Sequence, residues 1–173
     1  MNKNTRWIIN ITLIAFIITI LFSLGSQFVL KDVHIITSIF VILLFIFIGV
    51  LFDIIGVAVQ SSEKSVFHAM ASKKVRHAKT AKHMLENSAK VSSFCNDVIG
   101  DICNIISGSA GIVVANSISL RFNLNTTIIT LIITSLIAAL TIGGKAIGKN
   151  IAVKKSEYIV NKTTKFIGKF KRK

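Results

Sequence analysis

The sequence predicts an all-α polytopic membrane protein: four transmembrane helices, a basic amphipathic cytosolic helix between spans two and three, and a basic C-terminal helix. Three observations predict it. Of 173 residues 52% are hydrophobic, proline is absent and the mean hydropathy is +0.70, which is too apolar for a soluble domain of this length. Four apolar runs each approach the roughly 20 residues that a spanning helix needs. The cations behind the net charge of +14 fall in blocks between those runs, a pattern that orients a membrane protein and argues against nucleic acid as a partner.

The first run is Trp7 to Leu24. Phe22-Ser23-Leu24-Gly25-Ser26 offers no convincing small-x-small cleavage site, so an uncleaved anchor is expected rather than a signal peptide. The second, Val33 to Val59, has few polar interruptions before Asp53. The third, Val91 to Ser119, is the most polar, holding Asn96, Asp97, Asp101 and Asn104. Such groups are costly against acyl chains, so this span is expected to face protein. The fourth is Thr126 to Gly148, whose Gly144 and Gly148 have the small-xxx-small spacing of close helix pairs.

Lys and Arg set the orientation. Lys3 and Arg6 precede the first span, seven cations lie between Gln60 and Lys90, ten lie from Lys145 onward, and the two remaining connections hold only Lys31 and Arg121. Both termini are therefore expected in the cytoplasm. Abundant Ile, Lys and Asn suggest an AT-rich bacterial genome, and two thiols in apolar runs give no sign of an oxidising compartment. The expected location is a bacterial inner membrane.

Between spans two and three, Phe67, Met70, Ala71, Ala78, Ala81 and Leu85 recur at helical spacing while Lys73, Arg76, Lys79, Lys82 and His83 fill the other face. This helix is expected to lie along the inner leaflet with its lysines on anionic lipid head groups. Ile159, Phe166, Ile167 and Phe170 repeat the theme in the tail. The organisation expected is an anchor helix and outer loop over 1–32, a transmembrane core over 33–160 and a basic tail over 161–173.

The chemistry concentrates at the inner end of the core. Asp53 lies six residues before the end of its run and Asp97 six residues after the start of its own, so both are expected about 9 Å below the inner surface. Asp97, Asp101 and Asn104 follow i, i+4, i+7 and would share a helical face, flanked by Ser93 and Asn96. Gly100, Gly108, Gly111, Ser107 and Ala115 would let neighbouring helices approach. Carboxylate, amide and hydroxyl oxygens are hard ligands suited to Mg2+ with some waters retained, so Asp53, Asp97, Asp101, Asn104, Asn96 and Ser93 are the candidate metal ligands. Two other readings remain open: Lys145 pairing with an aspartate, and a proton relay. Cys95 and Cys103 are expected as small buried hydrophobes, and His68, His77 and His83 as solvated. No nucleophile triad, phosphate loop or zinc spacing occurs, so no enzymatic activity is expected.

Phe52-Asp53-Ile54-Ile55-Gly56-Val57-Ala58-Val59, the basic helix, Val91 to Gly111, and Gly144-Lys145-Ala146-Ile147-Gly148-Lys149-Asn150-Ile151-Ala152 together resemble the transmembrane domain of the cyclin M/CorB-CorC family of magnesium transporters. The order matches over roughly residues 33 to 160. In the family pattern serine stands at Asp53 and asparagine at Asp101, a second asparagine lies one residue beyond Asn104, and glutamate and proline replace Lys145 and Gly148. The resemblance implies a homodimer with one ion site per subunit and alternating access. No nucleotide-sensing CBS pair follows the core, so regulation by cytosolic ATP is not expected. The function expected is transport or export of a divalent cation, Mg2+ or Co2+. The alternative is a non-transporting membrane scaffold or regulator acting through its basic cytosolic face, and a proton-coupled carrier is a third possibility.

Overall fold

In the computed structural model, which describes residues 3–30, 34–72 and 77–170, every extended element is a helix. These are α1 (Lys3–Leu30), α2 (Ile35–Ser61), α3 (Lys64–Ser72), α4 (Ala78–Glu86), α5 (Ser88–Ser93), a π-helical segment (Phe94–Gly100), α6 (Asp101–Phe122), α7 (Thr126–Lys154) and α8 (Ser156–Phe170). Four helical stretches are long and apolar enough to span a bilayer: Thr5–Gly25, Ile35–Ser61, Ser88–Phe122 and Thr126–Lys154. The protein is an all-α polytopic membrane protein, as its hydropathy pattern predicts.

Short polar signals set the helix ends. Asn123 takes the left-handed conformation (φ 52°) that closes α6, and the Leu124 N–H returns to the Ser119 carbonyl at 3.0 Å. Two residues on, the Asn125 Oδ1 accepts from the Thr127 N–H at 3.0 Å and the Ile128 N–H at 3.3 Å, which caps α7. Within the spans, hydroxyls are satisfied locally: Ser107, Ser109, Ser117, Ser119, Thr134 and Thr141 each donate to the carbonyl four residues earlier. In lipid no water could take that bond.

The chain divides into two compact units. The first, here the bundle unit, comprises residues 1–49 and 98–144. Its centre is α6, on which Ile102, Cys103, Ile106, Ser107, Ala110, Gly111, Val114, Ala115 and Ser119 are buried. Helix α1 packs along α6, with Ile11, Ala15 and Ile18 set against Val98, Ile102 and Ile106, joined by Phe45 from α2. Dispersion contacts rather than water exclusion hold such an interface in lipid, so small residues matter. A methyl group at Gly49 would stand 3.1 Å from the Cys103 Cβ, and one at Gly111 would meet the Ile137 side chain, whereas Gly108 has nothing within 4 Å. Of the glycines expected to permit close approach on α6, Gly111 does so and Gly108 does not. The third span is the most enclosed, 56% buried against none of the first. Its two carboxylates, Asp97 and Asp101, are nevertheless exposed, against the expectation that the polar groups of this span face protein.

The second, the basic unit, comprises residues 50–97 and 145–173. Its core is Ala58, Val59, Phe67, Ala81, Leu85, Ala152 and Val160. The amphipathic helix expected as one piece from Phe67 to Leu85 is two helices, α3 and α4, which pack on each other, and α4 also packs on α8. Before α4, His77 has a φ of 74°, which an uninterrupted right-handed helix cannot contain. Lys73, Lys74 and Arg76 lie outside the described residues. The apolar stripe is already spent: Phe67 and Leu85 are each 1% exposed, so within this chain it meets protein and is not left to enter a leaflet. Lys79 and His83 remain exposed. In the tail Val160 and Thr164 point into the core while Tyr158 and Phe166 are exposed.

Candidate functional site

Asp53 sits in the part of α2 that belongs to the basic unit, and it is only 3% exposed. With Gly56 and Gln60 it forms the i, i+3, i+7 face of that helix. Opposite Gly56 lies the side chain of Asn96, close enough that a Cβ on Gly56 would overlap the amide oxygen and come within 2.8 Å of its carbon. Only glycine permits this seat. Asn96 Nδ2 donates to Ser92 Oγ at 3.3 Å, and Ser92 Oγ donates to Gln60 Oε1 at 3.2 Å. A short polar chain therefore ties α5 and the π segment to α2.

Two acceptors on this seam lack a partner. Asp53 Oδ2 and Asn96 Oδ1 are buried and accept no hydrogen bond. Each such orphan costs about 1–3 kcal/mol, and more when the group is charged. Buried polar atoms left unpaired are uncommon and point to a partner such as an ion. Among the described residues Lys145, also in the basic unit, forms no ion pair with Asp53 or Asp97 within 4.0 Å. The salt-bridge alternative for Lys145 is thus not realised there. Nearby in the same unit, α7 approaches α2 at Gly148, where a Cβ would stand 2.8 Å from Ile54 Cγ1.

The remaining candidates are distributed differently. Asp97 is exposed and accepts from Ser93 Oγ at 2.6 Å, a short bond typical of a hydroxyl on a carboxylate. Asp101 and Asn104 belong to the bundle unit. Asp101 is exposed and Asn104 half-buried with its Oδ1 unpartnered. Asp97 lies inside the π segment, whose i→i+5 winding takes about one residue more per turn than an α-helix. The i, i+4, i+7 count from Asp97 to Asp101 and Asn104 therefore starts out of α-helical register. Among the described residues no three His, Cys, Asp or Glu side chains gather as a metal-binding group.

Cys95 and Cys103 are buried and in no disulfide among the described residues. The sequence reading missed the π segment and the Gln60–Ser92–Asn96 chain. The available signal was the run Ser92-Ser93-Phe94-Cys95-Asn96-Asp97, in which four polar side chains can compete for backbone bonds of a helix. Comparison of the chain with protein-family models, with curated proteins and with solved structures finds no match.

Proposed function

We propose that this membrane protein binds a divalent cation, Mg2+ by preference with Co2+ as the alternative cargo, and carries it across the bilayer. One observation supports this above others: two buried oxygen acceptors, Asp53 Oδ2 and Asn96 Oδ1, lie in one unit and have no donor. A hard cation satisfies carboxylate and amide oxygens together and retains water for the rest of its shell. On this reading Asp53 is the direct anionic ligand and Asn96 the neutral one. Asp97, oriented by Ser93, reaches the ion through water. The resemblance of residues 33 to 160 to the cyclin M/CorB-CorC transmembrane domain points the same way and adds a homodimer, while the Lys and Arg distribution supports cytoplasmic termini and the composition a bacterial inner membrane.

The test is metal-dependent stability of the purified protein. A ligand at 100 times its Kd stabilises by about 2.7 kcal/mol, which for a chain of this size is roughly 5–10 °C in Tm. Mg2+ should produce that shift in the wild type and none in Asp53→Asn, and uptake into vesicles should fall with it. If Asp53→Asn keeps both the shift and the flux, the site is misassigned.

A second reading has its own observation. The basic unit is a folded body with exposed lysines on several helices, as a non-transporting scaffold or regulator would need. It predicts that Asp53→Asn and Asp97→Asn are tolerated while neutralising Lys79 and Lys165 abolishes function.

A further inference from the structure

Helix α7 has 29 residues, about 43 Å at 1.5 Å per residue, against a hydrocarbon core of about 30 Å. Its last turns therefore reach the head-group layer. Backbone bonds continue through Lys155, from Lys155 N–H to the Ile151 carbonyl and from Ile159 N–H to the Lys155 carbonyl, both at 3.0 Å. The lysines of this end are consequently held on a helix rather than on a loose loop.

Two kinds of side chain alternate there. Ile147, Ile151 and Val153 are 68%, 46% and 57% exposed, and Lys149 among them and Lys154 and Lys155 just after them are exposed as well. Neither an aqueous surface nor an acyl-chain surface suits that mixture. It suits the boundary, where aliphatic groups face acyl chains and lysine stems carry their ammonium groups outward to phosphate. Among the described residues none of the three lysines is in an ion pair; the acidic side chains of the unit outside the candidate site are Glu63, Glu86 and Glu157, of which Glu86 meets Lys82 at 3.8 Å. The stripes of α3 and α4 are buried in protein, so this unit has to hold the surface by charge and not by inserting those helices.

We propose that Lys149, Lys154 and Lys155 form a collar that binds the phosphate head groups of anionic phospholipids in the leaflet on the side of the basic unit. The occupant is lipid rather than a soluble anion because the collar is continuous with a membrane span and interleaved with exposed aliphatic residues. It is independent of the cation site, since none of its residues lies there.

Titrating the full-length protein in neutral detergent micelles with phosphatidylglycerol or phosphatidylcholine, read by native mass spectrometry as lipid bound per protein, tests the collar. The wild type should prefer phosphatidylglycerol. At about 1 kcal/mol per lysine near an anionic surface, Lys149→Gln/Lys154→Gln/Lys155→Gln should lose roughly 100-fold in that affinity, and the triple Arg variant should keep it. Inorganic phosphate should not displace the lipid. Unchanged preference in the Gln variant, or displacement by phosphate, overturns the collar. Should the Gln variant fail to fold, ionic strength on the wild type decides instead: the preference must weaken with salt, and a preference indifferent to salt overturns the proposal.

Discussion

Gly56→Ala is the most informative single change, because the seat it disturbs holds the unpartnered Asn96 Oδ1. A Cβ at position 56 would overlap Asn96 Oδ1, with Asn96 Cγ at 2.8 Å and Nδ2 at 3.2 Å, so the amide has to leave its seat. Overpacking costs about 1–3 kcal/mol. Losing the Asn96 to Ser92 bond at 3.3 Å adds about 0.5–1.5 kcal/mol, and the higher helix propensity of alanine returns roughly 0.5–1 kcal/mol. The expected net loss is about 0.5–4 kcal/mol, or a Tm lowered by roughly 1–16 °C. In an Asn96→Ala background nothing remains to collide with, and Gly56→Ala should be neutral or slightly stabilising. The cycle Gly56→Ala, Asn96→Ala and the double variant therefore predicts a coupling of about 1.5–4.5 kcal/mol. A thiol-reactive fluorogenic dye provides the assay, since the Cys95 and Cys103 thiols are buried and in no disulfide among the described residues and become reactive on unfolding. Additivity within about 0.5 kcal/mol would refute the contact and with it the geometry of the site.

Further outcomes follow from individual positions. Asn96→Asp adds a second carboxylate to the unit that holds Asp53: under the cation reading apo stability falls and the Mg2+-dependent Tm shift grows, whereas loss of stability with no metal rescue would identify Asn96 as a plain structural amide. Gly108→Ala, with nothing within 4 Å, should be neutral or raise stability by up to about 1 kcal/mol. Gly148→Ala, facing Ile54 Cγ1 at 2.8 Å, should cost about 1–3 kcal/mol, and Ile54→Ala should relieve it in a melting experiment. Leu85→Ala empties a position 1% exposed in the basic unit and should cost about 2–5 kcal/mol, seen as faster amide exchange in α3, α4 and α8 while the spans stay protected. Equal exchange in all helices would mean that this unit has no core of its own.

Much of the architecture is legible in run lengths. A stretch such as Ile35–Ser61 has no stable state in water and few in lipid other than a helix, because every backbone group needs an internal partner. That the polar third span is the most enclosed was also readable, but the reason, that polar groups need protein around them, holds only for Asn96 and Asn104, since Asp97 and Asp101 are exposed. The inward or outward direction of each was less legible. Asp53 and Asp97 have the same charge and mirrored positions in their runs, yet the first is buried and the second exposed. Equal spacing from the end of a run leaves no periodic mark of that difference.

Composition and periodicity by themselves determined that this chain is helical, that four of its helices are long and apolar enough to cross a bilayer, and that its cations collect in three blocks. These follow from local rules, backbone satisfaction and the water-to-lipid transfer of each side chain. What covers each face was decided only by tertiary packing. The stripe of Phe67, Ala81 and Leu85 looks the same whether lipid or protein meets it, and the structure spends it on Ala58, Val59, Ala152 and Val160. Likewise an aspartate in a span is costly wherever it stands, but only the arrangement of neighbouring helices leaves Asp53 buried with an acceptor unmet. A residue's own chemistry sets the cost of its surroundings, and segments distant in the chain decide what those surroundings are.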